Sequence, residues 1–334
     1  MPARKFLIGA SVVAVVVAVG AVAVGDYVYR EGTSLPCDIS DDQQGNSLAE
    51  FYPAGVDNGP FPGDGWNQWV GYDLSDYWLT NTLVVDVTIP VADGVVLHGW
   101  WVEAEDAQAT VIVTHGYGAS RRDFNTLLPT SMLIREGVNV LLMDQRNSGE
   151  SSCTTGRHTA GQVESDDFAE VARFALDNGY AEPGRLGMFG VSGGGIATSI
   201  LPAKTTEVSA FAIESAIFDF ADTATREVEY QGFPGFLWRL ADVASRLRGE
   251  NLQEIPIAQA VEALQGRPML ILHGTIDQRL AFDEAVKLAS FGARAGQTVV
   301  LEPFVGSDHT EGMLREPERY QELLGEFFRD ALMD

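Results

Sequence analysis

From residue 83 onward, short apolar runs alternate with longer amphipathic stretches. Leu83–Ile89 and Val95–Val102 are rich in β-branched residues and flank the turn signal Ala92-Asp93-Gly94, which predicts an antiparallel hairpin. Further strands are predicted at Thr110–Thr114, Val138–Met143, Arg185–Phe189, Ala210–Glu214, Met269–His273 and Thr298–Glu302. The helices between them are predicted at Arg121–Glu136, Val163–Asn178, Gly194–Pro202, Phe282–Ala295 and Gly312–Leu332. Short apolar runs without polar alternation suit strands buried on both faces. The expected class is therefore α/β: a mostly parallel sheet with a leading antiparallel hairpin and helices on both faces.

Three segments depart from this rhythm. Residues 1–25 carry Arg4 and Lys5, then an uncharged, mostly apolar run from Phe6 to Val24. As a helix that run spans roughly 28 Å, close to the thickness of a bilayer core. Its length favours an uncleaved transmembrane anchor, and Ala21-Val22-Ala23 leaves a cleaved signal peptide as the alternative. With Arg4 and Lys5 on the cytoplasmic side, the remainder is expected outside the cell membrane, tethered or secreted. Residues 26–82 read as a spacer becoming an arm packed on the domain, with Trp66, Trp69 and Trp78. Residues 83–334 form the main domain, interrupted at about 215–266 by a stretch without a clear strand, read as a small cap.

Charge and cysteine content narrow the options. The 334-residue chain carries a net charge of −25, which repels nucleic-acid phosphates and argues against a DNA or RNA partner. The two cysteines, Cys37 and Cys153, form no zinc-type cluster. A disulfide between them is permitted in an oxidising compartment, but spacing alone does not decide it.

The candidate chemistry centres on Gly190-Val191-Ser192-Gly193-Gly194, a Gly-x-Ser-x-Gly segment between a predicted strand and a predicted helix. Such a turn lifts a serine hydroxyl clear of the sheet, above a helix N-terminus that favours negative charge. A serine nucleophile needs a base. Of the five histidines, His309 lies in a loop between the last strand and the last helix and is the expected base. His98 is expected to be partly buried, His115 and His273 to position loops, and His158 to be solvated. Asp277, after the penultimate strand, is the expected acid, with Glu214 and Asp219 as reserves. The order Ser192, Asp277, His309 suits this architecture. The expected oxyanion donors are the backbone N–H groups of Gly193 and Tyr117, the latter in His115-Gly116-Tyr117-Gly118.

With these motifs, Asp93-Gly94-Val95-Val96-Leu97-His98-Gly99-Trp100 and Asp144-Gln145-Arg146-Asn147-Ser148-Gly149-Glu150-Ser151, the chain from about Leu83 resembles the α/β-hydrolase superfamily. It is most similar to membrane-anchored single-domain hydrolases of the prolyl-oligopeptidase-like and esterase branches. The resemblance implies ester, thioester or amide hydrolysis through an acyl-enzyme, without metal or organic cofactor. Asn147 and Asp308 stand where the pattern has glycine. A hydrophobic acyl ester is the preferred substrate, on the strength of Phe218, Phe220, Phe233, Phe236, Leu237 and Trp238 in the cap sequence. A peptidase or an acyltransferase acting on envelope components is the alternative. A silent binding domain is disfavoured because all three triad members are present.

Overall fold

The computed structural model describes residues 2–39, 43–53 and 67–333, with residues 2–16 and 67 as backbone only. Eight strands form one sheet: β1 (Val84–Pro90), β2 (Val96–Val102), β3 (Thr110–Thr114), β4 (Asn139–Met143), β5 (Leu186–Val191), β6 (Ala210–Glu214), β7 (Met269–Gly274) and β8 (Val299–Phe304). Their order is β1-β2-β4-β3-β5-β6-β7-β8. β1 pairs antiparallel with β2, β2 antiparallel with β4, and the other neighbours are parallel. This is the α/β-hydrolase fold expected from the hydrophobic pattern. The turn Ala92–Gly94 has Asp93 at φ 60° and Gly94 at φ 71°, and the Val95 N–H closes it by donating to the Ala92 carbonyl at 3.2 Å.

The helices are α1 (Pro2–Thr33), α2 (Phe124–Arg135), α3 (Gln162–Asp177), α4 (Gly193–Ile200), α5 (Phe220–Tyr230), α6 (Leu237–Leu247), α7 (Ile257–Glu262), α8 (Phe282–Arg294), α9 (Gly312–Arg315) and α10 (Pro317–Met333). Three helix bounds differ from expectation for identifiable reasons. α2 starts at Phe124 because the Asp123 carboxylate caps it, accepting from the Asn125 N–H at 2.8 Å. The helix expected through Pro202 stops at Ile200 and tightens into a 3₁₀ turn over Leu201–Ala203. The single helix expected over Gly312–Leu332 is two, because Pro317 has no N–H to continue α9 and instead opens α10.

The described chain forms two compact units. The larger comprises Leu35–Asp219 and Ile255–Asp334. In it, β3, β5, β6 and β7 are buried along their whole length. The arm contributes Leu48, Phe51, Trp69, Leu74 and Tyr77 to the same core. Burying side chains of this size is worth roughly 1.5–3 kcal/mol each. Cys37 in the arm is disulfide-bonded to Cys153, their Cα atoms 5.6 Å apart. The Leu35 N–H donates to the Gly156 carbonyl at 2.8 Å beside this link. Parallel register pairs Thr114 with Gly190, Val191 with Glu214, and Gly274 with Phe304. The loops that follow these strands therefore start at one edge of the sheet, where the candidate chemistry converges.

The smaller unit comprises Met1–Ser34 and Phe220–Glu254. α1 extends to Thr33, past the expected end of its apolar run at Val24. An i,i+4 pair between Asp26 and Arg30 at 2.9 Å and a Thr33 hydroxyl donating to the Tyr29 carbonyl at 2.7 Å support the extension. α1 packs on α6, and Arg248 donates to Asp26 at 2.6 Å. Among the described residues no helix is long and apolar enough to cross a membrane. The side chains of residues 2–16, which hold much of the apolar run assigned above to an anchor, lie outside those described.

The disulfide closes a sequence separation of 116 residues. Replacing both cysteines by serine is expected to lower unfolding stability by about 2–4 kcal/mol, read as a lower urea midpoint at unchanged slope. An unchanged midpoint would show that the arm is held by packing alone.

Candidate active site

Ser192 sits between β5 and α4 with φ 50° and ψ −113°, a conformation costing of order 1–3 kcal/mol for a residue with a side chain. Its surroundings hold it there. The Ser192 N–H donates to the Glu214 carbonyl at 2.8 Å, and its own carbonyl accepts the Ile196 N–H at 3.0 Å, the first bond of α4. A side chain at Gly190 would run into the Gly194 carbonyl and the Thr198 hydroxyl, so the strand-to-helix crossing requires glycine there.

A continuous hydrogen-bonded chain leads away from this hydroxyl. His309 Nε2 is 3.1 Å from Ser192 Oγ, and His309 Nδ1 is 2.8 Å from Asp277 Oδ2. A carboxylate accepts only, so Nδ1 carries the ring proton and Nε2 is left to accept from the serine. The Asp277 carboxylate is closed to solvent. Its Oδ1 accepts from the N–H groups of Arg279 at 2.9 Å and Leu280 at 2.8 Å, and its Oδ2 also accepts from the Ser215 hydroxyl at 3.0 Å. Burial alone would push its pKa up, but the imidazoles of His309 and His273 override this and hold it well below the usual carboxylate range.

His309 is fixed through its backbone as well. Its carbonyl accepts the Trp69 indole N–H at 3.1 Å, and its N–H donates to Asp308 Oδ1 at 2.7 Å. Asp308 Oδ1 also accepts from the Gln278 N–H at 2.8 Å, so this residue ties the histidine loop to the aspartate loop where a glycine could not. Asn147, the other departure from glycine, adopts φ 61°. Asparagine tolerates that conformation, and here its Oδ1 accepts from the N–H groups of Thr154 at 2.7 Å and Thr155 at 3.0 Å.

The loop after β3 lies beside the elbow. His115 is buried and receives the Gln145 N–H on Nε2 at 3.1 Å, so Nδ1 is the donor, and it reaches the Gly116 carbonyl at 2.7 Å. Burial lowers the His115 pKa against the pull of Asp144. In a trans peptide the N–H points opposite to the carbonyl, so holding the Gly116 carbonyl also aims the Tyr117 N–H. Among the described residues neither the Tyr117 N–H nor the Gly193 N–H has an acceptor. Two free donors flanking Ser192 are what a developing oxyanion requires.

Ser192, His309 and Asp277 thus come together as the spacing suggests, with Tyr117 and Gly193 adjacent. The two reserve acids do not join them. Asp219 is exposed. Glu214 is fully buried and accepts from the Tyr320 hydroxyl at 2.9 Å. Burial, with Asp277 nearby, raises its pKa well above the ordinary carboxylate value. His98 is half-buried on β2. His158 is not solvated as expected: it is buried and its ring stacks on Tyr117.

Three residues at the site escape sequence reasoning. Ser215 holds the acid from the end of β6, at φ 61°. Trp69 holds His309 from the distant arm. His273 does more than position a loop: it accepts the Ala216 N–H on Nδ1 at 3.1 Å, reaches the Leu280 carbonyl with Nε2 at 2.7 Å, and lies 3.4 Å from Asp277. The only available signal was its place at a strand end, four residues before Asp277. No cluster of His, Cys, Asp or Glu suited to a metal ion occurs among the described residues.

The buried Glu214 generates a pH dependence with a definite sign. Its folded pKa is raised, so its contribution to stability is complete below the unfolded value of about 4.3 and is lost as pH rises toward the folded value. Glu214→Gln keeps an acceptor for Tyr320 and removes that loss. Denaturant midpoints are expected to converge at low pH and to separate in favour of the variant by up to about 1.4 kcal/mol per pH unit above it. Parallel curves would mean that Glu214 ionises equally in both states.

Comparison with known proteins places the chain in a family. The prolyl oligopeptidase family profile matches residues 125–333. The uncharacterized protein YfhR of Salmonella typhimurium is 25% identical over 272 residues, covering 78% of this chain and 86% of its own. Among solved structures, an esterase of Pyrococcus furiosus superposes with a TM-score of 0.62 at 23% identity, covering 78% of this chain and 95% of the esterase. A puromycin-hydrolyzing peptidase of Mycobacterium tuberculosis gives 0.61 at 19% identity, covering 77% of this chain and 40% of the peptidase. The chain belongs to the prolyl oligopeptidase family, and is a serine hydrolase on the α/β-hydrolase fold.

Proposed function

We propose that the protein hydrolyses carboxylic esters through an acyl-enzyme on Ser192. The single observation that carries this reading is the unbroken chain Ser192–His309–Asp277, at 3.1 and 2.8 Å, beside two N–H groups that have no acceptor among the described residues. In the proposed reaction His309 Nε2 takes the Ser192 proton as Oγ bonds to the ester carbonyl carbon. The oxyanion forms against the N–H groups of Gly193 and Tyr117. Collapse expels the alcohol, which receives the proton from His309, and water then repeats the sequence to release the acid. Asp277 stays ionised throughout and stabilises the imidazolium.

An ester is favoured over a peptide because the structural correspondence takes in 95% of the Pyrococcus esterase and 40% of the mycobacterial peptidase. A hydrophobic acyl group is favoured by the aromatic content of the cap sequence, with Phe218, Phe220, Phe233, Phe236 and Trp238. The apolar run Phe6 to Val24 behind Arg4 and Lys5 supports a membrane-anchored, extracytoplasmic enzyme, and the Cys37–Cys153 disulfide fits an oxidising compartment.

Wild-type protein is expected to label with a fluorophosphonate probe and Ser192→Ala is not; equal labelling would remove Ser192 as nucleophile. Asp277→Asn is expected to lower kcat by about 10⁴-fold while the fold persists, because the imidazole loses its enforced tautomer. Loss of less than tenfold would assign the acid elsewhere. Deleting residues 1–25 is expected to move the protein from the membrane to the soluble fraction with ester hydrolysis retained; retention on the membrane would place the anchor elsewhere.

A further inference from the structure

The two residues carrying the free N–H groups also touch through a side chain. A β-carbon at Gly193 would lie 2.5–2.8 Å from three ring atoms of Tyr117, so the ring rests on the bare Gly193 backbone. The His158 ring lies parallel to the Tyr117 ring, 3.7 Å between centroids and 10° between planes. Two groups this close cannot occupy the same face of one ring. His158 and Gly193 therefore lie on opposite faces, with Tyr117 between them.

His158 is itself held. It is buried, and its Nδ1 accepts the Ala160 N–H at 3.2 Å, in a loop where Ala160 and Gly161 have φ 55° and 80°. The far end of the Tyr117 side chain is anchored too. That far end is held by burial alone: its hydroxyl has no hydrogen-bond partner among the described residues, and burial, with Glu164 nearby, raises its pKa well above the ordinary value. Glu164 in turn caps this segment, accepting from the Thr159 N–H at 2.9 Å and the Thr159 hydroxyl at 2.6 Å.

We infer that His158 is a positioning residue for the oxyanion site: its ring clamps Tyr117 onto Gly193 and so fixes the separation of the two N–H donors. This rests on the hydrolase reading above. In this role His158 transfers no proton and acts through Tyr117. The effect follows from preorganisation, since a donor contributes to rate only when it is already aimed at the place where charge develops. The arrangement also accounts for glycine at position 193, because any larger residue would displace the Tyr117 ring.

The test uses the full-length protein and separates the ring from its hydrogen bond. His158→Asn keeps an acceptor for the Ala160 N–H and removes the ring. His158→Phe keeps a ring and removes the acceptor. Each is assayed with a p-nitrophenyl ester and with a trifluoromethyl ketone, which forms a tetrahedral oxyanion on the serine. His158→Asn is expected to lower kcat by about 10–100-fold, less than complete loss of one oxyanion donor, with KM changed by less than about threefold. The ketone inhibition constant should rise by the same factor as kcat falls. His158→Phe should restore both to within about threefold of wild type. A purely structural role would not move kcat and ketone affinity together at constant KM. An active Asn variant with an impaired Phe variant would assign the effect to the polar interactions of the imidazole rather than its stacking and overturn the inference. So would a KM-only change, or equal impairment in both variants. A wild-type chain inert to both ester and ketone would instead contradict the hydrolase reading itself.

Discussion

The arrangement at the edge of the sheet depends on one buried carboxylate. Asp277 is placed where a charge is costly unless every lone pair is used. Two backbone N–H groups, a serine hydroxyl and an imidazole proton use them, with a second imidazole 3.4 Å away. These donors come from three separate loops: those after β6, after β7 and after β8. Satisfying a single charge therefore draws together segments far apart in sequence. Once drawn together, they hold the imidazole of His309 in the tautomer that faces Ser192.

The strain at Ser192 is affordable in the same framework. Its left-handed backbone is locked by hydrogen bonds to the end of β6 on one side and to α4 on the other. Ser215, also at positive φ, directly follows β6 and donates to Asp277. Two unfavourable conformations thus lie at adjacent strand ends, and each is fixed by groups that also define the site. The surrounding sheet, buried on both faces, is rigid enough to bear this.

Much of this was legible from the chain alone, and the limits of legibility have physical causes. The parallel strands could be read because burial on both faces leaves short, uninterrupted apolar runs. Ser192, Asp277 and His309 could be read because each follows a strand in the order the fold imposes. Helix ends were less accessible. Asp123 caps α2 and Pro317 divides α9 from α10, and these local effects are masked by amphipathic sequence running across them. Contacts that depend on folding were inaccessible. Nothing near Trp69 signals its bond to the His309 carbonyl 240 positions away, nothing near Ser215 signals Asp277, and nothing near His158 signals a stack on Tyr117. The reserve role given to Glu214 failed for a related reason: a carboxyl at a strand end can face either side of a sheet, and this one is buried against Tyr320.

The central claim is that Ser192 carries the acyl group during turnover. Acid quenching of the protein during reaction with a p-nitrophenyl ester, followed by peptide mass spectrometry, tests it directly. The account predicts the acyl mass on the peptide containing Ser192 in the wild-type protein and no such mass in Ser192→Ala. Steady turnover with no acylated peptide, or an acyl group on another residue, would contradict it.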